Sequence, residues 1–209
     1  MDRDLPIYMI GMSTHLLSLI YSRYVTPSWK GHNLRFFEAV TPKDLYKKTD
    51  LVFGVKGSRH FTETEKAVWY SHYELWARCA LEGPCVIIEH DSCLVKPLPD
   101  LSKDGYKFLS FVNDQPLPRQ RLRLAPGSGY YLTPQAAGRL IKNLPRVITV
   151  NSDGHLANTL NLRAETQKND CYYIEQVNWD GLNTIDHKNN NRDYIGLDYE
   201  NVDISGVHR

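Results

Sequence analysis

A chain of 209 residues, 42% hydrophobic and 23% charged, has the size and balance of a single soluble globular domain, long enough to bury roughly 70% of its unfolded surface. Its formal net charge of +1 excludes a generally basic nucleic-acid binder and leaves only local patches for such a role. No run reaches the ~18 continuous apolar residues of a membrane span, the opening MDRDLPIYMIGM lacks a secretion pattern, and Cys79, Cys85, Cys93 and Cys171 show no CxxC spacing, so the expectation is a cytoplasmic protein with free, mostly buried thiols and no structural zinc.

In chain order, residues 5–12 (LPIYMIGM) form a short apolar run of the kind that opens an α/β domain, and LRFFEAVT near residue 37 is a second candidate strand. FTETEKAVWYSHYELWARCALEG then carries start and stop signals of a helix. Thr62 and Glu65 make a capping box, and Gly83 suits the position just past the end. Spacings of three and four relate Ala67, Tyr70 and Glu74, and Val68, Ser71, His72, Leu75 and Trp76, giving one broad apolar or aromatic face with His72 within it. CVIIE (85–89) is a continuous apolar run, as in a strand buried on both faces of a parallel sheet. YKFLSFVN (106–113) reads as a further strand closing on Asn113 and Asp114. GSGYYLTPQAAGRLIKNL passes from a glycine turn through a Tyr-rich segment into a helix capped by Thr133 with Pro134 in its first turn. RVITVNSDGH reads as one more strand ending in a polar loop. From about 165 to 209 the chain is polar and Asn/Asp-rich, a segment expected to complete or cover a site. The alternation predicts one α/β domain, 1–209, with a mostly parallel sheet flanked by helices.

The chemistry is argued from Glu89, His90 and Asp91, which close the CVIIE strand at the end where open α/β sheets bind ligands. If the chain stays extended there, Glu89 and Asp91 face one side. Two carboxylates that close repel unless a cation lies between them, and hard oxygen ligands suit Mn²⁺ or Mg²⁺, with substrate phosphates completing the shell. His90 either adds a nitrogen ligand or packs on the opposite face. The competing reading of the pair is a solvated turn, and of His72 a hydrogen-bonded packing residue. Gly127 and Gly129 either allow close backbone approach to a sugar or phosphate or form a common turn.

The ordered set RFFEAVTP, TETEKAVWYSHYELWARCALEGPCVIIEHDSCLV and GSGYYLTPQAAGRLI resembles the family 25 glycosyltransferases of the lipooligosaccharide-biosynthesis type over roughly residues 34–155. In that family a Glu opens a helix bearing a Ser-His pair, the next strand ends in Glu-Asp-Asp, and a Gly-Tyr segment precedes a later helix. The resemblance implies a GT-A type (Rossmann-like) fold, a nucleotide-sugar donor expected to be a UDP-sugar, a divalent cation, and transfer with inversion. Carried over, Glu65, Ser71, His72, Gly129, Tyr130 and Tyr131 bind donor, together with Met12, Ser13 and Arg23 after the first strand. Glu89 and Asp91 match the outer acids of the metal motif, and Asp153 matches an aspartate after a strand. His90 departs from the family's middle acid, which puts the metal's identity or necessity in question.

The expected mechanism is a single displacement with a cation on the departing diphosphate and Asp153 as base, Asp114 standing second, and His155 as a further metal ligand. Arg119, Arg121 and Arg123 alternate in PRQRLRL. Such a stripe either contacts phosphates of the donor or of a nucleic-acid acceptor or guards an edge strand against aggregation. It motivates an alternative acceptor to a saccharide: hydroxymethylated pyrimidines in DNA, on which sugars are placed in bacterial viruses. A second alternative is a non-catalytic nucleotide- or carbohydrate-binding module that has lost the metal through His90.

Overall fold

The computed structural model describes residues 4–102, 104–113, 122–124, 127–161 and 173–177. In chain order they form β1 (Pro6–Gly11), α1 (Leu16–Val25), a 3₁₀ turn (Thr26–Trp29), β2 (Asn33–Glu38), a second 3₁₀ turn (Pro42–Lys47), the short pair β3 (Val55–Lys56) and β4 (Arg59–His60), α2 (Glu63–Glu82), β5 (Cys85–Glu89), β6 (Ser92–Leu94), β7 (Tyr106–Phe108), β8 (Ser110–Asn113), β9 (Leu122–Leu124), β10 (Gly129–Leu132), α3 (Pro134–Lys142), α4 (Ser152–Thr159) and β11 (Ile174–Gln176).

The central sheet has the order β2-β1-β5-β10-β7. β1 runs parallel to β2 and β5, while β10 is antiparallel to both β5 and β7. Four of its five strands therefore point one way, which bears out a mixed, mostly parallel α/β sheet with helices on its faces. Val86, Ile87 and Ile88 of β5 are fully buried because both faces are covered. On one face Cys85, Ile87 and Tyr130 meet Trp69, Leu75 and Trp76 of α2 and Ala137 and Leu140 of α3. On the other, Ile7, Met9, Val86 and Ile88 meet Val25, Trp29, Leu109 and Ile174. That second core is closed by a four-stranded sheet of order β6-β11-β8-β9.

The α2 boundaries follow from local chemistry. Thr62 accepts from the Glu65 amide at 3.2 Å and the Glu65 carboxylate accepts from the Thr62 amide at 2.9 Å, a complete capping box. Gly83 ends the helix at φ 132°, open to glycine alone without strain. Thr133 caps α3 with Pro134 in its first turn, as the sequence predicts.

Two elements differ from expectation. Residues 106–113 are two strands in different sheets: at Leu109, fully buried, the chain leaves β10 and its carbonyl accepts from the amides of Tyr173 and Ile174. The segment read as a strand and polar loop at 146–155 has only an isolated bridge, Ile148 to Phe53, and then enters α4, whose cap is Asn151 accepting from the Gly154 amide at 3.0 Å. An Asn side chain that bonds three residues ahead serves a turn and a helix start equally well, so Ser-Asp-Gly-His alone does not separate them. Among the described residues no helix is long and apolar enough to cross a membrane.

Candidate active site

Glu89 ends β5 at the carboxyl edge of the sheet, on the α2 face. Its amide donates to the Ser128 carbonyl at 3.2 Å, its carboxylate lies 3.8 Å from Nε2 of His72, and a quarter of its side chain remains open to solvent. The carboxylate is thus sunk among protein at the sheet edge yet still reached by water. Burial works against its charge, and His72, His90 and the Ser128 hydroxyl more than offset it, holding Glu89 below the usual carboxylate range.

Two further acids feel that charge. Asp153 sits in the first turn of α4 with its carboxylate against the Gly127 backbone. A Cβ on Gly127 would come 2.1 Å from Asp153 Oδ1, so this glycine makes the seat for the carboxylate. Burial, then Glu89, push Asp153 up to about 6, against the pull of His72, Lys56 and the Gly127 backbone. Asp91 follows β5 by two residues and accepts from Gln176 Nε2 of β11 at 2.9 Å. Its other oxygen, Oδ1, is buried with no hydrogen-bond partner among the described residues. Burial, then Glu89, push Asp91 up to about 7.

The expectation of an extended Glu89-His90-Asp91 is corrected. β5 stops at Glu89, residues 90 and 91 form a turn, and Ser92 opens β6 in the other sheet. Glu89 and Asp91 are thus separated by a turn rather than aligned along one strand face. His90, placed opposite Glu89, packs at 5.6 Å from the Tyr21 ring. Burial holds its pKa down. Of the two readings for His90, packing against the domain is the one this contact describes.

His155 also lies in the core. Its Nε2 is 3.0 Å from the Leu140 carbonyl and its ring sits 5.3 Å from Trp69 and 5.7 Å from Trp76, on the buried side of α4. Asp153, two residues earlier, is on another side of the same helix, since 100° per residue separates them by more than half a turn. Among the described residues no three His, Cys, Asp or Glu are grouped as a ready-made metal site.

The remaining candidates spread out. The Glu65 carboxylate is engaged by Thr62, by Arg59 through both guanidinium nitrogens at 2.7 and 2.8 Å, and by Lys56 at 2.7 Å. These contacts hold its pKa far down, the Arg59 bonds most of all. Ser71 is buried, donating to the Ala67 carbonyl and accepting from the Val40 amide. Tyr131 packs in the second core, and a Cβ on Gly129 would meet Ile174 Cδ1 at 2.5 Å; the close approach at both glycines is to the protein's own side chains. Met12 and Ser13 follow β1, their amides bonded to Ser18 Oγ and Glu38 Oε1. Arg23, on α1, has a buried Nε without a partner among the described residues. Arg123 lies in β9 opposite Val112. Asp114, Arg119 and Arg121 lie outside the described residues.

Sequence reasoning missed Ser128, Gln176 and Lys56. The first sits beside the GxG whose role was left open. The others carry no local signal, since each is placed by pairing distant in sequence.

Residues 16–113 match the model of glycosyltransferase family 25, LPS biosynthesis protein. Among solved structures the chain is similar to a glycosyltransferase involved in glycosylation of the major capsid of PBCV-1, at 8% identity and TM-score 0.45, covering 82% of this chain and 92% of that one. It is also similar to a protein described as a glucose-1-phosphate thymidylyltransferase from Bacillus anthracis in complex with a sucrose, at 12% identity and TM-score 0.32, covering 82% and 68%. No curated protein matches.

Proposed function

We propose, from the match of residues 16–113 to the model of glycosyltransferase family 25, that the chain moves a sugar from a UDP-sugar to a hydroxyl acceptor by a single inverting displacement. The observation that carries this is Glu89 at the mouth of the central strand with Asp91 and Asp153 both under its charge, one of them with an unpartnered buried oxygen. Such crowding of acids is costly unless a cation or a proton relieves it.

Asp91 Oδ1 and Glu89 fit a divalent cation held by two carboxylates and completed by donor phosphates and water, rather than one enclosed by protein ligands. When bound there, Mn²⁺ or Mg²⁺ supplies Lewis acidity at the diphosphate. Glu89, kept ionised by His72 and Ser128, would hold that cation from the sheet side. Asp153, with its pKa raised to about 6, is the base: the acceptor oxygen bonds to the anomeric carbon, its proton passes to the Asp153 carboxylate, and the bond from that carbon to the diphosphate breaks with its electron pair. The Gly127 backbone seats Asp153 for that step.

The test is a panel of nucleotide-sugars assayed for hydrolysis and transfer in the presence of Mn²⁺, with wild type beside Asp91→Ala and Asp153→Asn. Turnover of one donor class that is lost in both variants supports the reading. Equal turnover in wild type and Asp153→Asn removes the base, and no turnover of any donor removes the reaction.

A further inference from the structure

Behind Glu89 lies a buried polar chain, of which the transfer chemistry above uses only the charge effect of His72. Trp76 Nε1 is 2.9 Å from the Tyr130 hydroxyl oxygen, and that oxygen is 2.8 Å from Nδ1 of His72. All three residues are 1% exposed or less. Tyr130 sits on β10 opposite Ile87 of β5, so it is held directly beneath α2, which carries both His72 and Trp76 one helical turn apart.

The direction of each bond follows from what each group can do. Indole nitrogen only donates, so the Tyr130 oxygen accepts from Trp76. Tyr130 has one proton, and the acceptor in contact with it is Nδ1 of His72. Were Nδ1 protonated instead, the Tyr130 proton would be buried without an acceptor among these contacts, a costly state, and a neutral ring would turn its Nε2 lone pair toward a carboxylate. Both defects vanish when the ring proton is on Nε2. That nitrogen is the one facing Glu89, at 3.8 Å.

We propose that His72 is a positioning residue for Glu89: Trp76 and Tyr130 lock the imidazole in the tautomer whose Nε2–H faces that carboxylate, fixing its charge and its aim at the carboxyl edge of the sheet without His72 touching the donor. This rests on Glu89 belonging to the donor site, and it differs from the donor contact that family resemblance implies for His72. The relay uses two elements of the sheet core, β10 and α2, so the aim of Glu89 is set by the rigid part of the fold rather than by a loop.

The test uses the full chain labelled with ¹⁵N-histidine and ¹³C-glutamate. Long-range proton–nitrogen correlations, with His72 assigned by its absence in His72→Gln, are expected to show a protonated Nε2 and an unprotonated Nδ1 at pH 8. A protonated Nδ1 overturns the proposal. The Glu89 carboxyl signal should move in His72→Leu and return in His72→Gln, whose amide offers an N–H near the Nε2 position. No movement in the leucine variant overturns it as well. With the nucleotide-sugar that wild type turns over, His72→Leu should lose about tenfold or more in kcat with little change in acceptor KM, and His72→Gln should recover most of the loss. Equal losses in the two variants overturn the proposal. Should wild type turn over no nucleotide-sugar, the carboxyl and tautomer signals still decide the positioning role, so its failure and that of the transferase reading are separately visible.

Discussion

Gly127 and Asp153 are matched to each other: the carboxylate lies against the glycine backbone, where a methyl group would come 2.1 Å from Oδ1. The obstacle is the far end of a side chain, which can rotate, so the fold is expected to absorb Gly127→Ala at a cost of about 1 kcal/mol or less. The carboxylate cannot stay where it is. If Asp153 is the base, Gly127→Ala lowers kcat by about tenfold to a hundredfold while donor KM changes little, a split read from steady-state kinetics beside a melting curve. Unaltered kcat would mean that Asp153 does not act from this seat.

Asp153→Asn separates stability from activity. The folded pKa of Asp153 is raised to about 6, so the carboxyl favours folding while protonated, and that contribution is lost as pH rises through about 6. Asparagine has no charge to lose and fits the same seat. Above pH 6 the variant is therefore expected to be more stable than wild type, on the order of 1–2 kcal/mol, below the full linkage because Asp153 remains partly open to solvent. Wild-type turnover should climb with pH through the same range as the base ionises, and the variant should lose it. Denaturant titrations at pH 5 and pH 8 check the first half. A variant less stable at pH 8 would count against the raised pKa.

Much of α2 and its neighbourhood is legible in the sequence because the signals are local: Thr62 with Glu65, Gly83, and the apolar CVII before a charge. The side on which His90 lies is not, since parity depends on the residue at which β5 stops, and pairing with β1 and β10 decides that. Asp153 can be picked out as an acid, yet its helix cannot, because Asn151 caps and turns by the same bond. The Trp76–Tyr130 contact joins residues 54 positions apart; only the adjacency of β10 to β5 creates it, and no spacing rule encodes that.

Glu65 is legible as a cap and, through family resemblance, as a donor contact. Its carboxylate is taken up by the Thr62 amide, Arg59 and Lys56, so Glu65→Ala is expected to cost about 1–2 kcal/mol of stability, the range for a lost helix cap. The sign with pH is the opposite of that for Asp153. Because the folded pKa of Glu65 is lowered, its contribution is present above the usual glutamate pKa and fades as pH falls below it. The difference in melting temperature between wild type and variant should shrink from pH 7 to pH 3. A constant difference would show that packing, not the carboxylate's partners, carries the effect.

Asp91 tests the cation directly. Without a divalent ion its ionised form is opposed by burial and by Glu89, which raise its pKa to about 7, so at pH 8 Asp91→Asn should melt higher than wild type. Gln176 can still donate to the amide oxygen, and the amide nitrogen takes the place of the unpartnered Oδ1. Adding MnCl₂ with UDP reverses the order if Asp91 is a ligand: wild type gains about 2–3 kcal/mol at roughly a hundredfold excess over the dissociation constant, and the variant gains little. Glu89 remains in both proteins, so any residual gain in the variant measures what one carboxylate and the phosphates hold alone. Equal stabilisation of both proteins by Mn²⁺ would place the ion away from Asp91 and leave its buried oxygen to be explained by another partner.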